Sequence, residues 1–390
     1  MIRDVKELDL TGKRVFVRAD FNVPIQNGRI TEVHRIESTL PTLRYILGKA
    51  GKLIVASHLG RPGGKKNPEY SLAPVRDALE KLLGQPVALA PDSVGAEVEA
   101  LVRDSSRNII LLENLRFHKE EEKNDPEFSK QLAALAEVYV NDAFGTAHRA
   151  HASTAGMVKF IPEKGAGLLL KKELEYLGKL LGHPEHPFAA ILGGAKVSDK
   201  IGVITNLMPK IDSLLIGGGM AYTFLKAQGF SIGRSLLEAD RVELARELEA
   251  KAKAAGVALV LPTDHVAAEG RDKAPVTVGE NIPEKLIGLD IGPKTIERFA
   301  REIKKSKMVL WNGPVGLFEE EKFRAGTQAI ANAVANSGAV SVVAGGDTVA
   351  AVDQAGVGSR ITHLSTGGGA TLEFLEGKKL PGIEALEVQP

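Results

Sequence analysis

Ten short apolar runs, none of them alternating with polar residues, constrain this chain more than any other feature. The first five are Arg14-Val15-Phe16-Val17-Arg18, Leu53-Ile54-Val55-Ala56, Val87-Ala88-Leu89, Ile109-Ile110-Leu111-Leu112 and Val138-Tyr139-Val140. The second five are Phe188-Ala189-Ala190-Ile191-Leu192, Leu214-Leu215-Ile216, Val257-Ala258-Leu259-Val260-Leu261, Met308-Val309-Leu310-Trp311 and Val340-Ser341-Val342-Val343. A strand with one wet face alternates polar and apolar residues. A strand buried on both faces does not, and such strands belong to parallel sheets covered by helices. Amphipathic stretches such as 236–255 and 293–305 lie between the runs, so the alternation is strand then helix. The expected fold is α/β, with two doubly wound, mostly parallel domains.

The two series meet at a seam. Residues 167–181 read as a strong amphipathic helix, and Gly182-His183-Pro184-Glu185-His186-Pro187 reads as a helix stop and stiff turn. The expected division is a first domain over 1–166, a connecting helix and hinge over 167–187, and a second domain over 188–370. A closing segment, 371–390, is expected to pack back toward the first domain. A length of 390 residues agrees with two cores.

Charge and cysteine content narrow the function. Fifty Lys and Arg residues against 49 Asp and Glu leave a net charge of +1. No global field would gather a polyanion, so nucleic acid is not expected as a partner. The chain has no cysteine, which removes disulfides, thiolate nucleophiles and Cys-based metal sites. No apolar run reaches the length of a signal peptide at 1–13, or the roughly 20 residues of a membrane span. A cytoplasmic protein with no membrane partner is expected.

The loops that follow the runs carry two chemistries. Up to about residue 150 they hold side-chain cations and polar groups. Asp20 and Asn22 follow the first run, His58 and Arg61 the second, and Arg116 the fourth; Arg149 lies beyond the fifth, and Arg35 opens the helix after the first. From about residue 190 they are rich in glycine, as in Gly193-Gly194-Ala195-Lys196, Gly217-Gly218-Gly219, Gly345-Gly346-Asp347-Thr348 and Gly367-Gly368-Gly369. Guanidinium forks and glycine-lined amides are two ways of holding phosphates and carboxylates. Ligands of open α/β sheets bind beyond the carboxyl ends of the strands, where these loops lie. One surface arginine is more often part of a solvated ion pair. Four beyond strand ends favour a site for a small ligand with a phosphate, a carboxylate and a hydroxyl. His34, His118 and His151 carry no such weight.

In the second half, the 345–351 segment would present free amides at a helix N-terminus, a ready anion site. Asp347 beside a phosphate suits Mg²⁺, although as an isolated residue it would more commonly be a helix cap. Lys196 and Lys200, four apart, would present two ammonium groups from one face of a helix start, a spacing that by itself is usually solvated. Neither a P-loop nor a Gly-x-Gly-x-x-Gly after a first strand occurs, which counts against a dehydrogenase. A two-lobed anion-binding protein without catalysis is the alternative reading of the same loops.

Nine segments, in order along the chain, form one pattern. They are Arg18-Ala-Asp-Phe-Asn-Val-Pro24, Ser57-His-Leu-Gly-Arg-Pro62, Leu112-Glu-Asn-Leu-Arg-Phe117 and Val140-Asn-Asp-Ala-Phe-Gly-Thr-Ala-His-Arg-Ala-His-Ala-Ser153, then Leu192-Gly-Gly-Ala-Lys-Val-Ser-Asp-Lys-Ile201, Gly217-Gly-Gly-Met-Ala-Tyr-Thr-Phe224, Leu310-Trp-Asn-Gly-Pro-Val-Gly-Leu-Phe-Glu319, Gly345-Gly-Asp-Thr348 and Ser365-Thr-Gly-Gly-Gly-Ala370. Together these segments resemble the phosphoglycerate kinase family, and the resemblance implies reversible, Mg²⁺-dependent transfer of a phosphoryl group between ATP and 3-phosphoglycerate. By that resemblance Asp20, Asn22, Arg35, His58, Arg61, Arg116 and Arg149 bind phosphoglycerate. Lys196, Lys200, Gly217, Gly288, Glu319, Gly345, Gly346, Asp347 and Thr348 bind nucleotide, with Asp347 on the metal. Arg35, Lys196 and Gly368 are the expected catalytic set, acting in a monomer whose cleft closes. A carboxylate acceptor is already a nucleophile, so the absence of an obvious acid–base pair fits.

Overall fold

A computed structural model describes residues 1–388. The last two residues of the 371–390 segment lie outside the described residues. The chain divides into two compact units, one of residues 1–175 with 379–388 and one of residues 176–378.

In the first unit the strands are β1 (Arg14–Arg18), the short hairpin β2 (Ile25–Gln26) and β3 (Arg29–Ile30), β4 (Lys52–Ala56), β5 (Ala88–Leu89), β6 (Ile109–Leu111), β7 (Val138–Asn141) and β8 (Glu163–Ala166). Six form one sheet in the order β5-β6-β4-β1-β7-β8, every pair parallel. From the central β1 the chain builds outward through β4, then returns to β7 on the other side. Helices such as His34–Leu47 cover the faces, and Val15, Val17, Leu53, Val55 and Val140 are wholly buried. Burial on both faces is why these runs lack alternation. Residues 379–388 belong to this unit, where the Gly382 amide donates to the Ala147 carbonyl at 2.8 Å.

The second unit contains β9 (Phe188–Leu192), β10 (Ser213–Ile216), β11 (Ala258–Val260), β12 (His265–Ala268), β13 (Val276–Val278), β14 (Ile287–Ile291), β15 (Met308–Asn312), β16 (Val340–Ala344) and β17 (His363–Leu364). The parallel sheet runs β11-β10-β9-β15-β16-β17. Counting its six strands in chain order gives 3-2-1-4-5-6, the doubly wound order whose direction reverses between β9 and β15. Ligands of this topology bind at that reversal. Trp311, Ile191, Val309 and Phe299 centre the core. A separate antiparallel sheet, β13-β12-β14, was not foreseen from sequence.

The helix Leu168–Leu181 carries the chain across the boundary between units. Its start is held by the fully buried Asp142, which accepts from the Leu169 and Leu170 amides at 2.9 and 3.1 Å. A side chain at Gly167 would strike that carboxylate at 2.1 Å, so only glycine fits there. Burial pushes the Asp142 carboxyl up to about 7. The expected helix over 236–255 is shorter than the amphipathic pattern: the α-helix is Val242–Ala254. Glu238, ahead of it, is drawn into another contact described below.

Candidate active site

In the first unit the loops after β1, β4 and β6 are bonded into one wall. Asn114, fully buried, accepts from the Leu59 and Arg116 amides at 3.2 and 3.0 Å and donates to the Leu59 and Tyr70 carbonyls at 2.7 and 2.9 Å. The Asn22 side chain accepts from the Gly60 amide at 2.8 Å, and Ser57 Oγ accepts from the Phe21 amide at 2.8 Å. Arg116, only 4% exposed, donates to the Gly60 carbonyl at 2.9 Å, while its Nε has no hydrogen-bond partner and lies 3.6 Å from Glu122. Burial pulls its guanidinium below the usual range, against the pull of Glu122.

Arg35 stands in the first turn of the helix His34–Leu47, where the helix dipole disfavours a cation. It is held there by Asp20 at 2.8 Å. Asp20 Oδ1 lies 3.9 Å from the His58 ring. Burial holds His58 well below the ordinary histidine range, and Arg18, Arg116, Arg35 and Arg149 push it further the same way. Four guanidinium groups therefore act on one imidazole and disfavour its protonation. Such a concentration of positive charge is stable when an anion completes it.

Six of the seven residues expected on this side thus share one neighbourhood. Arg61 is exposed and takes no part in these bonds. Arg149 is half-buried, with Nε bonded to the His148 ring at 3.2 Å. Of the histidines set aside, His34 is exposed and His118 pairs with Asp92 at 2.5 Å. His151 is buried 3.9 Å from Glu121, and burial followed by Arg116 lowers it to about 3.

The second unit works through backbone. The Gly193, Gly194, Gly217 and Gly218 amides donate to the Asn312, Pro314, Leu192 and Val315 carbonyls at 2.9–3.0 Å, which straps together the loops after β9, β10 and β15. Two hollows lie over them. The first, about 260 Å³, is walled largely by apolar and glycine residues, among them Gly218, Gly219, Tyr222, Leu236, Gly288 and Leu317, with Glu319 and Arg271 at polar points. A side chain at Gly288 would meet the Tyr222 hydroxyl at 2.1 Å. The second, about 660 Å³, holds Lys196, Lys200, Asn312, residues 345–348, Gly368 and Gly369. Asp347 lines both.

Gly345 has φ +94°, a conformation suited to glycine, and precedes the helix Gly346–Gln354. Asp347 lies in the first turn of that helix, exposed, and no side chain caps it. The reading of Asp347 as a mere cap therefore falls away. Thr348, buried, accepts from the Gly313 amide at 2.7 Å and ties this loop to the end of β15. Gly217 lines neither hollow, its own amide being engaged within the fold.

One local expectation needs correcting. Lys196 and Lys200 do not share a helical face, because the helix begins only at Ile201. Residues 197–200 form a turn, held by Glu238, which accepts from the Val197 and Ser198 amides at 2.5 and 3.2 Å and from Ser198 Oγ at 2.5 Å. Lys196 is exposed, while Lys200 is half-buried and donates to Asn312 Oδ1. Burial lowers the Lys200 ammonium, opposed by Asp199, Asp347 and Glu376. Asn312 and Glu238 are site residues that the sequence reading missed. Asn312 ends an apolar run, a signal that could have found it; Glu238 had none.

Two doubly wound units, each collecting anion-holding groups at the carboxyl ends of a parallel sheet, define an enzyme that handles two phosphorylated small molecules. The sequence pattern of phosphoglycerate kinase matches residues 5–378. A Koribacter versatilis protein named phosphoglycerate kinase is 57% identical over 395 residues, covering 98% of both chains. A Clostridium botulinum protein of that name is 54% identical over 389 residues, again covering 98% of each. The solved phosphoglycerate kinase of Coxiella burnetii superposes with a TM-score of 0.89 at 42% identity over 99% of both chains. That of Pyrococcus horikoshii gives 0.82 at 32% identity, over 99% of this chain and 98% of its own. The chain belongs to the phosphoglycerate kinase family and is a phosphotransferase with a carboxyl group as acceptor.

Proposed function

We propose that the first unit binds 3-phosphoglycerate through Asp20, Asn22, Arg35, His58, Arg61, Arg116 and Arg149, and that the second binds the nucleotide. The observation that carries this is the grouping of Arg35 on Asp20, Asp20 beside His58, and the buried Arg116 on the Gly60 carbonyl, a cationic wall that a small polyanion would neutralise. For the nucleotide, Lys196, Lys200, Gly217, Gly288, Glu319 and residues 345–348 are the proposed binding set. The smaller, apolar hollow suits a base and sugar, and the larger, with its lysines and helix-start amides, suits phosphates.

The acceptor carboxylate oxygen attacks the γ-phosphorus of ATP in line as the bond to the β-bridging oxygen breaks. ADP leaves, an acyl phosphate forms, and no proton need move. Arg35, Lys196 and the Gly368 loop are proposed to meet charge on the transferring group. Asp347 is the carboxylate offered to Mg²⁺. No group of three or more His, Cys, Asp or Glu side chains suited to a metal occurs among the described residues; Mg²⁺ commonly takes one or two carboxylates together with substrate phosphates and water. Bound there, Mg²⁺ would offset phosphate charge. Direct transfer needs both ligands within bonding distance and water excluded, so we propose that turnover includes closure of the two units. Each chain carries both sets of residues, and the proposed working form is a cytoplasmic monomer. Among the described residues no helix is long and apolar enough to cross a membrane.

Incubation of the enzyme with ATP, Mg²⁺ and 3-phosphoglycerate should release ADP only when all three are present. Ligand binding without ADP formation would instead support the non-catalytic reading.

A further inference from the structure

Arg18 ends β1 and is 1% exposed, yet it is not among the residues proposed to bind substrate. Its Nε donates to Ser153 Oγ at 2.8 Å, one terminal nitrogen donates to the Ala19 carbonyl, and the other lies 3.3 Å from His58 Nδ1. A guanidinium carries five N–H donors, has no acceptor and does not deprotonate in proteins. The bond to His58 can therefore run in one direction only, with Nδ1 accepting. We infer that Arg18 is a positioning residue that fixes His58 as the neutral Nε2–H tautomer, so that the ring offers one hydrogen-bond donor to the anionic substrate.

The bonds behind Arg18 share this polarity. Ser153 Oγ, having accepted from Arg18, donates to Glu121 Oε1 at 2.6 Å, and the Ser153 amide donates to Glu121 Oε2 at 3.0 Å. Glu121 is fully buried, and burial pushes its carboxyl up. Both its oxygens lie within hydrogen-bond distance of Ser153. The Ser153 carbonyl accepts from Tyr139 at 2.8 Å, so this segment cannot easily turn. From Arg18 outward each link thus has one allowed direction, and the donor left on the ring is His58 Nε2–H.

The remaining groups around the ring are consistent with this. Asp20 Oδ1, at 3.9 Å from Nδ1, is beyond hydrogen-bond range and would favour the other tautomer only if it came closer than Arg18. Arg35, Arg116 and Arg149 disfavour a second proton. A neutral donor contributes the same bond across the physiological pH range, whereas an ordinary histidine would gain charge near its usual titration point. The inference rests on the proposal that His58 contacts 3-phosphoglycerate.

Long-range ¹H–¹⁵N correlation on the full-length, histidine-labelled enzyme tests it. His58 should show an unprotonated Nδ1 and a protonated Nε2, unchanged between about pH 8 and pH 5. Saturating 3-phosphoglycerate should then shift the Nε2–H resonance. Protonation of Nδ1 in the free enzyme, or a doubly protonated ring above about pH 6, would overturn the tautomer assignment. A correct tautomer whose Nε2–H ignores 3-phosphoglycerate would overturn the substrate contact instead. Arg18→Met should raise the KM for 3-phosphoglycerate about tenfold and leave that for ATP unchanged. Arg18→Lys, which keeps a donor-only cation, should restore part of the loss. A folded Arg18→Met variant with normal KM would count against the positioning role, and the wild-type spectrum decides the matter should that variant not fold.

Discussion

The two units use the same sheet edge in opposite ways. In the first, side chains make the site, and buried polar partners hold them: Asn114 ties two loops together and Asp20 restrains Arg35. In the second, backbone makes the site, and glycines are needed where a Cβ would collide with a neighbour, as at Gly193 against the Pro314 carbonyl or Gly288 against Tyr222. Guanidinium forks can match the fixed shape of a small acid. Amides and an open hollow suit the longer polyphosphate, with its metal, that is proposed for the second unit. The difference teaches that anion affinity alone does not distinguish the lobes; what differs is where the donors are anchored, so the two anchorings should fail differently when mutated.

The largest effects should come from the cations assigned to the transferring group. Arg35→Ala and Lys196→Ala should each lower kcat by about 10³-fold in the coupled assay, with thermal melting little changed. Near-normal turnover in either would remove that residue from the assignment. Next, Gly288→Val would place a side chain against Tyr222, and the KM for ATP should rise about 10²-fold while that for 3-phosphoglycerate stays the same. Equal changes in both constants would blur the division between units.

A smaller effect is expected at Glu238. Removing its carboxylate frees the Val197 and Ser198 amides and loosens the turn that carries Lys196, so Glu238→Ala should lower kcat roughly tenfold at nearly constant KM. A change confined to KM would mean that the turn serves binding alone.

The smallest effects concern pH and appear in both units. Asp290 is 2% exposed in the second unit, accepts from the Gly326 amide at 2.6 Å, and is pushed by burial up to about 7, as Asp142 is in the first. A carboxyl whose folded value is raised contributes stability that is full below its unfolded value, near 3.8, and is lost as pH rises through about 7. Asp290→Asn should flatten that part of the stability profile in denaturant titrations from about pH 4 to 8. An unchanged slope would show that Asp290 does not titrate as its surroundings suggest.

What sequence revealed follows from which forces are local. Central strands such as Phe188–Leu192 are legible because two-sided burial demands an uninterrupted apolar run. The edge strand Glu163–Ala166 and the two-residue His363–Leu364 carry no such run. β13 is largely exposed and short, so it too gave no signal. Arginines and glycines at strand ends were legible because position and chemistry coincided. The supports were not: Glu121 meets Ser153 across 32 residues and Glu238 meets Ser198 across 40, pairings that only the folded chain creates. The Lys196/Lys200 spacing misled for a related reason, since Glu238 holds as a turn what a helical repeat would have made one face.

Hydrogen exchange on the full-length enzyme, with each ligand added singly, tests the division of labour most directly. Alone, 3-phosphoglycerate should protect amides in the loops after β1, β4 and β6, and Mg-ADP those after β9, β10 and β16. Protection of the glycine loops by 3-phosphoglycerate, or of the arginine loops by Mg-ADP, to the same degree as by the assigned ligand would contradict the account.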